Sequence, residues 1–164
     1  MAMDKKVRDL INDQINKEFF SAYLYLDIAN FFASKGFDGF AHWYEIQARE
    51  EQEHAMKFYA YLHDNDEKVK LGAIDAPATA FKTFKAAVDA AYKHEQYVTD
   101  LINKIYEAAD KAKDYRTKNF LGWFIDEQGE EEKNARDLAD KLALFGEEKQ
   151  ALYMLDRELS RRAE

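Results

Sequence analysis

The sequence predicts an all-α protein: a four-helix bundle with a long crossover between its second and third helices and a short fifth helix. Apolar residues recur at alternating intervals of three and four along most of the chain, the spacing of one helix face. The 164 residues include one proline and six glycines, so helix-breaking residues are rare. With 47% apolar and 34% charged residues, this composition indicates a single domain over residues 1–164, with an apolar core and a charged surface.

The first two helices each carry polar residues in the middle of a mostly apolar face. The first helix is predicted over residues 4–34, and Glu18 interrupts its inward row near mid-length. A short turn with two glycines then leads into an antiparallel second helix, predicted over residues 38–64. On its inward row Glu51 and His54 lie three residues apart, so both side chains project from the same side.

Residues 65–79 lose the helical pattern and contain Gly72 and Pro77. About 14 extended residues span about 46 Å, and a helix of about 28 residues is about 42 Å long. The connection can therefore run the full height of a bundle, which favours a third helix parallel to the second. A disordered linker is the alternative interpretation of the same composition.

The third and fourth helices repeat the mid-length polar interruption. The third is predicted over residues 80–110, and Glu95 is the single acid in its inward row. The fourth is predicted over residues 114–145, where Gln128 and Glu131 again lie three residues apart on the inward row. All four long helices therefore carry a polar side chain where an apolar one is expected.

The end of the chain predicts a fifth, shorter helix. Gly146 follows the fourth helix at the position that a helix-terminating glycine takes. Residues 147–160 then form a short amphipathic segment with leucines on one side. No low-complexity segment or second domain is indicated.

The polar interruptions are predicted to lie at one level of the bundle. At the rise of an α-helix, each lies about 20–26 Å from the start of its helix, near the midpoint. A midpoint is at the same height whether a helix runs up or down, so the residues meet in either topology. Four carboxylates would share this level: Glu18, Glu51, Glu95 and Glu131.

Four buried carboxylates need positive charge, and none of the four inward rows contains a lysine or an arginine. An isolated buried charge is strongly destabilising, and two divalent cations would balance four carboxylates. Oxygen ligands with one imidazole, from His54, favour iron or manganese over softer metals. The sequence therefore predicts a dinuclear metal site. The alternative is a metal-free structural bundle with solvated acids, since a single glutamate on a helix is usually exposed.

The remaining histidines are not expected to bind metal. His42 and His63 lie near the ends of the second helix and are predicted on the surface. His94 precedes Glu95, and adjacent helical residues point about 100° apart, so the imidazole faces away from the predicted site.

Bulk charge and composition exclude several classes of function. The net charge of −8 and the lack of a long basic tail argue against nucleic acid and favour cations as partners. The chain has no cysteine, so disulfides and thiolate ligands are excluded. No long uncharged apolar run is present, and the first ten residues are too charged for a signal peptide. We therefore expect a cytoplasmic protein without a membrane partner.

The stretches that carry these residues resemble the non-haem ferritins of bacteria and archaea. The matching stretches extend over nearly the whole chain, at residues 16–25, 49–56, 92–95, 119–124, 127–133 and 155–159. The resemblance implies a ferritin-like fold and ferroxidase activity, in which Fe(II) is oxidised by O2 or peroxide at a di-iron centre. It also implies storage of Fe(III) mineral inside a homo-oligomeric cage of about 24 subunits.

The resemblance also implies a role for each matching residue. The residues that match the ligands of the two irons, with Glu51 as the bridge, are Glu18, Glu51, His54, Glu95, Gln128 and Glu131. Those that match a possible third iron site are Glu50, Glu127 and Glu130. Tyr25 matches a tyrosine beside the centre, and Trp123 matches an aromatic residue close to it.

Departures from related families narrow the interpretation. Gln52 stands where bacterioferritins have their haem-binding methionine, so no haem is predicted. A second Glu-x-x-His motif is replaced by Gln128-x-x-Glu131, which disfavours rubrerythrin-like proteins. A soluble di-iron oxidase or peroxidase without storage is the alternative within the same superfamily.

Overall fold

The computed structural model describes residues 2–77 and 80–164, and it confirms the all-α prediction. The five helices are α1 (Lys5–Ser34), α2 (Asp38–Asp64), α3 (Phe84–Lys111), α4 (Tyr115–Phe145) and α5 (Lys149–Leu159). Residues 78 and 79, the last two of the predicted crossover, lie outside the described residues. None of the helices in the described ranges combines the length and the apolarity needed to cross a bilayer.

The third helix begins four residues later than the sequence pattern predicts. Thr83 has extended backbone angles, and its side chain accepts a hydrogen bond from the Ala86 amide. This N-cap starts α3 at Phe84 instead of residue 80. The apolar residues just before Thr83 resemble a helix face in sequence, and Phe81 instead packs against Phe31 of α1.

The crossover runs along α1. Near the start of α1, the Asn12 side chain donates to the Lys70 carbonyl oxygen and accepts from the Lys70 amide, both at 2.8 Å. One turn further, Asn16 Nδ2 donates to the carbonyl oxygen of Ala73 at 2.7 Å. Backbone groups of the connection thus find side-chain partners on α1, which an extended loop over a surface requires.

The second and third helices run parallel, as predicted from the length of the crossover. Phe40 at the start of α2 and Phe84 at the start of α3 lie 5.7 Å apart between ring centroids. Both rings contact Phe32 near the end of α1. At the opposite end, the Tyr61 hydroxyl of α2 lies 2.9 Å from Thr117 Oγ1 of α4. The two helices therefore start at the same end of the bundle.

The core consists of two apolar clusters separated by a polar layer. One cluster joins the second half of α1 to the first half of α2 and includes Phe32 and Phe40. The other joins the opposite ends of the same helices and includes Ile15 and Phe58. On each long helix a buried glutamate falls between the two clusters, so a layer of buried acids lies near the middle of the bundle.

Helix α5 packs against the start of α2 through a close backbone contact. The Phe40 amide donates to Asp156 Oδ1 at 2.9 Å, and the local N-cap residue of α2, Phe37, makes no side-chain bond. Asp156 thus satisfies a helix N-terminal amide from another element. A Cβ atom on Gly39 would lie 1.8 Å from the Asp156 carbonyl oxygen, so this approach requires glycine.

Gly39→Ala is expected to destabilise the protein by about 3 kcal/mol, because the added methyl overlaps the backbone of α5. The midpoint of thermal unfolding should fall by about 10 °C. Gly122→Ala is the matched control, because Gly122 is also helical and its Cβ would meet no atom within 4 Å. That variant should be neutral or slightly stabilised. Equal melting temperatures for the two variants would contradict the contact.

Candidate metal centre

Six polar side chains from the four long helices meet between the apolar clusters. Each is between 0% and 5% exposed. They are Glu18 of α1, Glu51 and His54 of α2, Glu95 of α3, and Gln128 and Glu131 of α4. Every one of them interrupts an otherwise mostly apolar face, and the structure brings all six to one level.

The ligand atoms of these side chains form overlapping groups. In the described part of the chain, three sets of three residues have ligand atoms within 4.8 Å of one another. The sets are Glu18, Glu51 and His54; Glu51, Glu95 and Glu131; and His54, Glu127 and Glu131. Glu51 belongs to the first two sets, so its carboxylate lies where it can bridge two cations.

The electrostatics of the centre favour bound cations. Burial, together with the neighbouring charge of Glu51, raises the pKa of Glu18 well above its usual value. Burial and the charge of Glu95 raise the pKa of Glu131 to about 8. The Glu18 Oε2 atom is buried and has no hydrogen-bond partner among the residues that the structure describes. An unpaired buried carboxylate oxygen beside an imidazole fits a hard or borderline metal ion.

Hydrogen bonds from α1 and α4 hold Glu95 in place. The Tyr25 hydroxyl donates to Glu95 Oε1, and Gln128 Nε2 donates to Glu95 Oε2 at 3.1 Å. Burial and the charge of Glu95 raise the pKa of Tyr25 well above its usual value, so the phenol remains protonated and can donate. Gln128 Nε2 also lies 3.2 Å from Thr99 Oγ1. Tyr25 and Gln128 therefore orient a carboxylate of the centre.

Two glutamines complete the centre and were missed among the site residues predicted from the sequence. Gln14 Nε2 donates to Glu18 Oε1 at 3.0 Å. Gln47 Nε2 donates to Glu131 Oε2 at 2.5 Å and lies 3.5 Å from Glu51 Oε1. Each glutamine precedes a glutamate of the centre by four residues, one helical turn. This repeated spacing was the signal that could have found them.

The residues predicted for a third iron lie at the edge of the centre. Glu127 Oε1 lies 3.8 Å from His54 Nε2, Glu130 is exposed, and Glu50 pairs with Arg162. Within the described ranges, these three glutamates do not form a group with all ligand atoms within 4.8 Å. Burial is the main cause that raises the pKa of Glu127, and the neighbouring His54 opposes it. The charges of Glu130 and Glu50 raise this pKa further, so the three glutamates interact. The third site remains a prediction.

The aromatic residue Trp123 contacts the centre through His54. The two ring centroids lie 5.4 Å apart in an edge-on arrangement. Trp123 is 42% exposed, and Lys57 Nζ lies 3.9 Å from its ring centroid. The indole therefore covers the imidazole on the side that faces away from the core.

The other histidines take part in separate contacts. His63 is exposed, as predicted. His42 is half-buried, and its Nε2 atom donates to the Arg162 carbonyl oxygen at 2.8 Å, so the prediction of a surface residue was wrong. The chain beyond α5 covers it. His94 Nε2 lies 2.7 Å from Ser21 Oγ, and burial lowers the pKa of this imidazole to about 4.

Sequence comparisons place the chain beside non-heme ferritins of bacteria. A family model described as a ferritin-like domain matches residues 8–145. A bacterial non-heme ferritin from Campylobacter jejuni is 38% identical, over 94% of this chain and 93% of that protein. A probable bacterial non-heme ferritin-like protein from Haemophilus influenzae is 36% identical, over 96% and 95% respectively.

Solved structures give the same result at the level of the fold. An open-pore ferritin from the hyperthermophilic archaeon Archaeoglobus fulgidus superposes with a TM-score of 0.97 at 42% identity, covering 99% of this chain and 100% of that chain. A closed form of the ferritin from the same organism, engineered by site-directed mutagenesis, superposes with a TM-score of 0.96 at 42% identity and covers 99% of each chain. The similarity therefore includes α5 and the long crossover.

Proposed function

Because the chain belongs to the ferritin family, in its non-haem branch, we propose that it oxidises ferrous iron and stores the ferric product. The observation that carries the proposal is the sharing of Glu51 between two groups of potential ligands. A carboxylate in that position can hold two metal ions side by side. Two adjacent Fe(II) ions supply two electrons to one oxidant molecule, O2 or peroxide.

Each ligand group takes one ferrous ion as substrate. Glu18 and His54 would hold the first ion, and Glu95 and Glu131 would hold the second. Glu51, which belongs to both groups, would be shared between the two ions. The donor set of carboxylates and one imidazole also suits Fe(III), so both oxidation states can be held during the reaction.

The hydrogen-bonded neighbours keep the ligands in place while the ions enter and leave. Gln14 and Gln47 donate to carboxylates of α1, α2 and α4, and Tyr25 and Gln128 donate to Glu95. The raised pKa values of Glu18 and Glu131 favour their protonated forms when no cation is bound. Because carboxylate ligands bind metal in their deprotonated form, iron binding is expected to be coupled to proton release.

Storage requires an assembly, and we propose a homo-oligomeric cage of about 24 subunits by analogy with the family. Large apolar side chains at the end of α4 and along α5 are exposed in the single subunit, which supports burial against other copies. They are Leu144, Phe145, Tyr153 and Met154. The proposal includes a third iron bound near Glu50, Glu127 and Glu130.

Size-exclusion chromatography after aerobic loading with excess Fe(II), with iron counted in the protein peak, tests the proposed function. A large assembly that retains many irons per chain is expected. A small species with about two irons per chain, the capacity of one dinuclear site, would instead indicate an oxidase without storage. No retained iron would reject the metal centre and favour a structural bundle.

A further inference from the structure

The residues beyond α5 return to the side of α2 that borders the metal centre. Arg162 lies three residues after Leu159, and its side chain is 15% exposed. Its Nη1 atom donates to the Trp43 carbonyl oxygen at 3.1 Å and to Gln47 Oε1 at 3.0 Å. The guanidinium also lies 4.3 Å from the centroid of the Trp43 ring. These contacts hold the guanidinium in one position on α2.

Arg162 determines which way the Gln47 amide faces. A guanidinium has only donors, so the amide oxygen of Gln47 must point towards Arg162. The amide nitrogen then points inward, where it donates to Glu131 and lies near Glu51. The direction of a hydrogen bond inside the centre thus depends on a charge outside it.

The same guanidinium neutralises a carboxylate at the edge of the centre. Arg162 Nη2 donates to Glu50 Oε2 at 2.9 Å in a partly buried ion pair. The negative charge of Glu50 also acts on Glu127 and on Glu131, since it contributes to the raised pKa of both. Arg162 therefore supplies positive charge to the outer, acidic side of the centre.

We propose that Arg162 is a positioning residue that occupies the cation position at Glu50 until a third divalent ion displaces it. The inference rests on the proposed function, because it requires two cations in the inner groups and a third ion near Glu50. A divalent ion at the proposed third site would compete with Arg162 Nη2 for Glu50 Oε2. Once displaced, Arg162 no longer fixes the Gln47 amide, so outer binding is coupled to the inner ligands Glu131 and Glu51.

Calorimetric titration of the metal-free assembled protein with Zn²⁺, a redox-inert divalent ion, tests this proposal without iron oxidation. Arg162→Gln removes the competing charge, and the third Zn²⁺ should bind about tenfold more tightly, the scale of one lost charge-assisted hydrogen bond. Arg162→Lys keeps the positive charge, so the third Zn²⁺ should bind nearly as weakly as it does to the unaltered protein. Arg161→Gln is the matched control, because Arg161 is the exposed neighbour with the same charge.

A second readout follows the guanidinium itself. The chain has two tryptophans, so Trp123→Phe leaves Trp43, which Arg162 covers, as the single tryptophan, whose emission can be excited selectively beside the tyrosines. Its fluorescence should change between the second and third equivalents of Zn²⁺, and this step should be absent when Arg162→Gln is added. Damage to the structure alone would not strengthen metal binding.

The outcomes separate this proposal from the proposed function. Two tight Zn²⁺ ions in every variant, with a third whose affinity is unchanged or weaker in Arg162→Gln, would overturn the role of Arg162 alone. An equal gain in affinity for the third Zn²⁺ in Arg161→Gln would also overturn it, because the gain would then come from the change in net charge and not from Arg162 itself. Failure of the unaltered protein to bind two Zn²⁺ ions would reject the metal centre and, with it, the role of Arg162.

Discussion

Replacing Glu51 by alanine is expected to reduce the initial rate of Fe(II) oxidation by at least about 100-fold, because one side chain serves both ligand groups. Replacing Glu18 or His54 by alanine should slow the reaction by a smaller factor, since each is a proposed ligand of only one of the two ions. The measurement is stopped-flow absorbance of Fe(III) in air after addition of two Fe(II) per subunit.

The control for this prediction lies on the same helix. Glu53→Gln changes an exposed glutamate two residues further along α2 and should leave the rate unaltered. The Glu51→Ala variant should remain folded without metal, because the change removes one of several mutually repelling buried carboxylates. A normal oxidation rate in a folded Glu51→Ala protein would exclude the proposed centre.

The metal-free protein is expected to lose stability as the pH rises from about 5 to about 8. Burial and the charge of Glu95 raise the pKa of Glu131 from 4.5 to about 8 in the folded state. A group with a raised folded pKa stabilises the protein fully below its unfolded pKa, and this contribution is lost as the pH rises through the folded pKa. Glu18 and Glu51 have pKa values raised by burial and act in the same direction.

Differential scanning calorimetry of the metal-free protein at several pH values measures this effect. The melting temperature should fall by about 10 °C between pH 5 and pH 8, given about 1.4 kcal/mol per unit of pKa shift. Glu131→Gln should flatten this dependence, whereas Glu107→Gln, an exposed position on α3, should not. At pH 8, Zn²⁺ added at about 100 times its Kd should increase the free energy of unfolding by about 2.7 kcal/mol per site. A melting temperature that rises over this pH range would refute the prediction.

The helices and the level of the centre could be predicted because both depend on local periodicity. The intervals of three and four locate each helix face, and the constant rise per residue locates Glu18, Glu51, Glu95 and Glu131 at one height. The length of the crossover was sufficient to predict parallel second and third helices. The start of α3 was misplaced because the cap at Thr83 outweighs the apolar pattern before it.

The contacts that join distant parts of the chain could not be predicted in the same way. Arg162 lies beyond α5, where no periodic pattern relates it to Gln47 or Glu50, more than 110 residues earlier. His42 is covered by that same segment, so its burial was also missed. Such contacts follow from the way α5 docks at Gly39, which a sequence pattern along a single helix does not describe.

The two apolar clusters on either side of the polar layer have a consequence for the order of events in the cell. Each cluster joins the helices independently of the carboxylates, so the subunit does not need metal to acquire its shape. Under the proposed function, iron would bind to a subunit that is already folded instead of acting as a template for its folding. Synthesis of the protein could then precede an influx of iron, and a subunit that has lost its iron could bind it again.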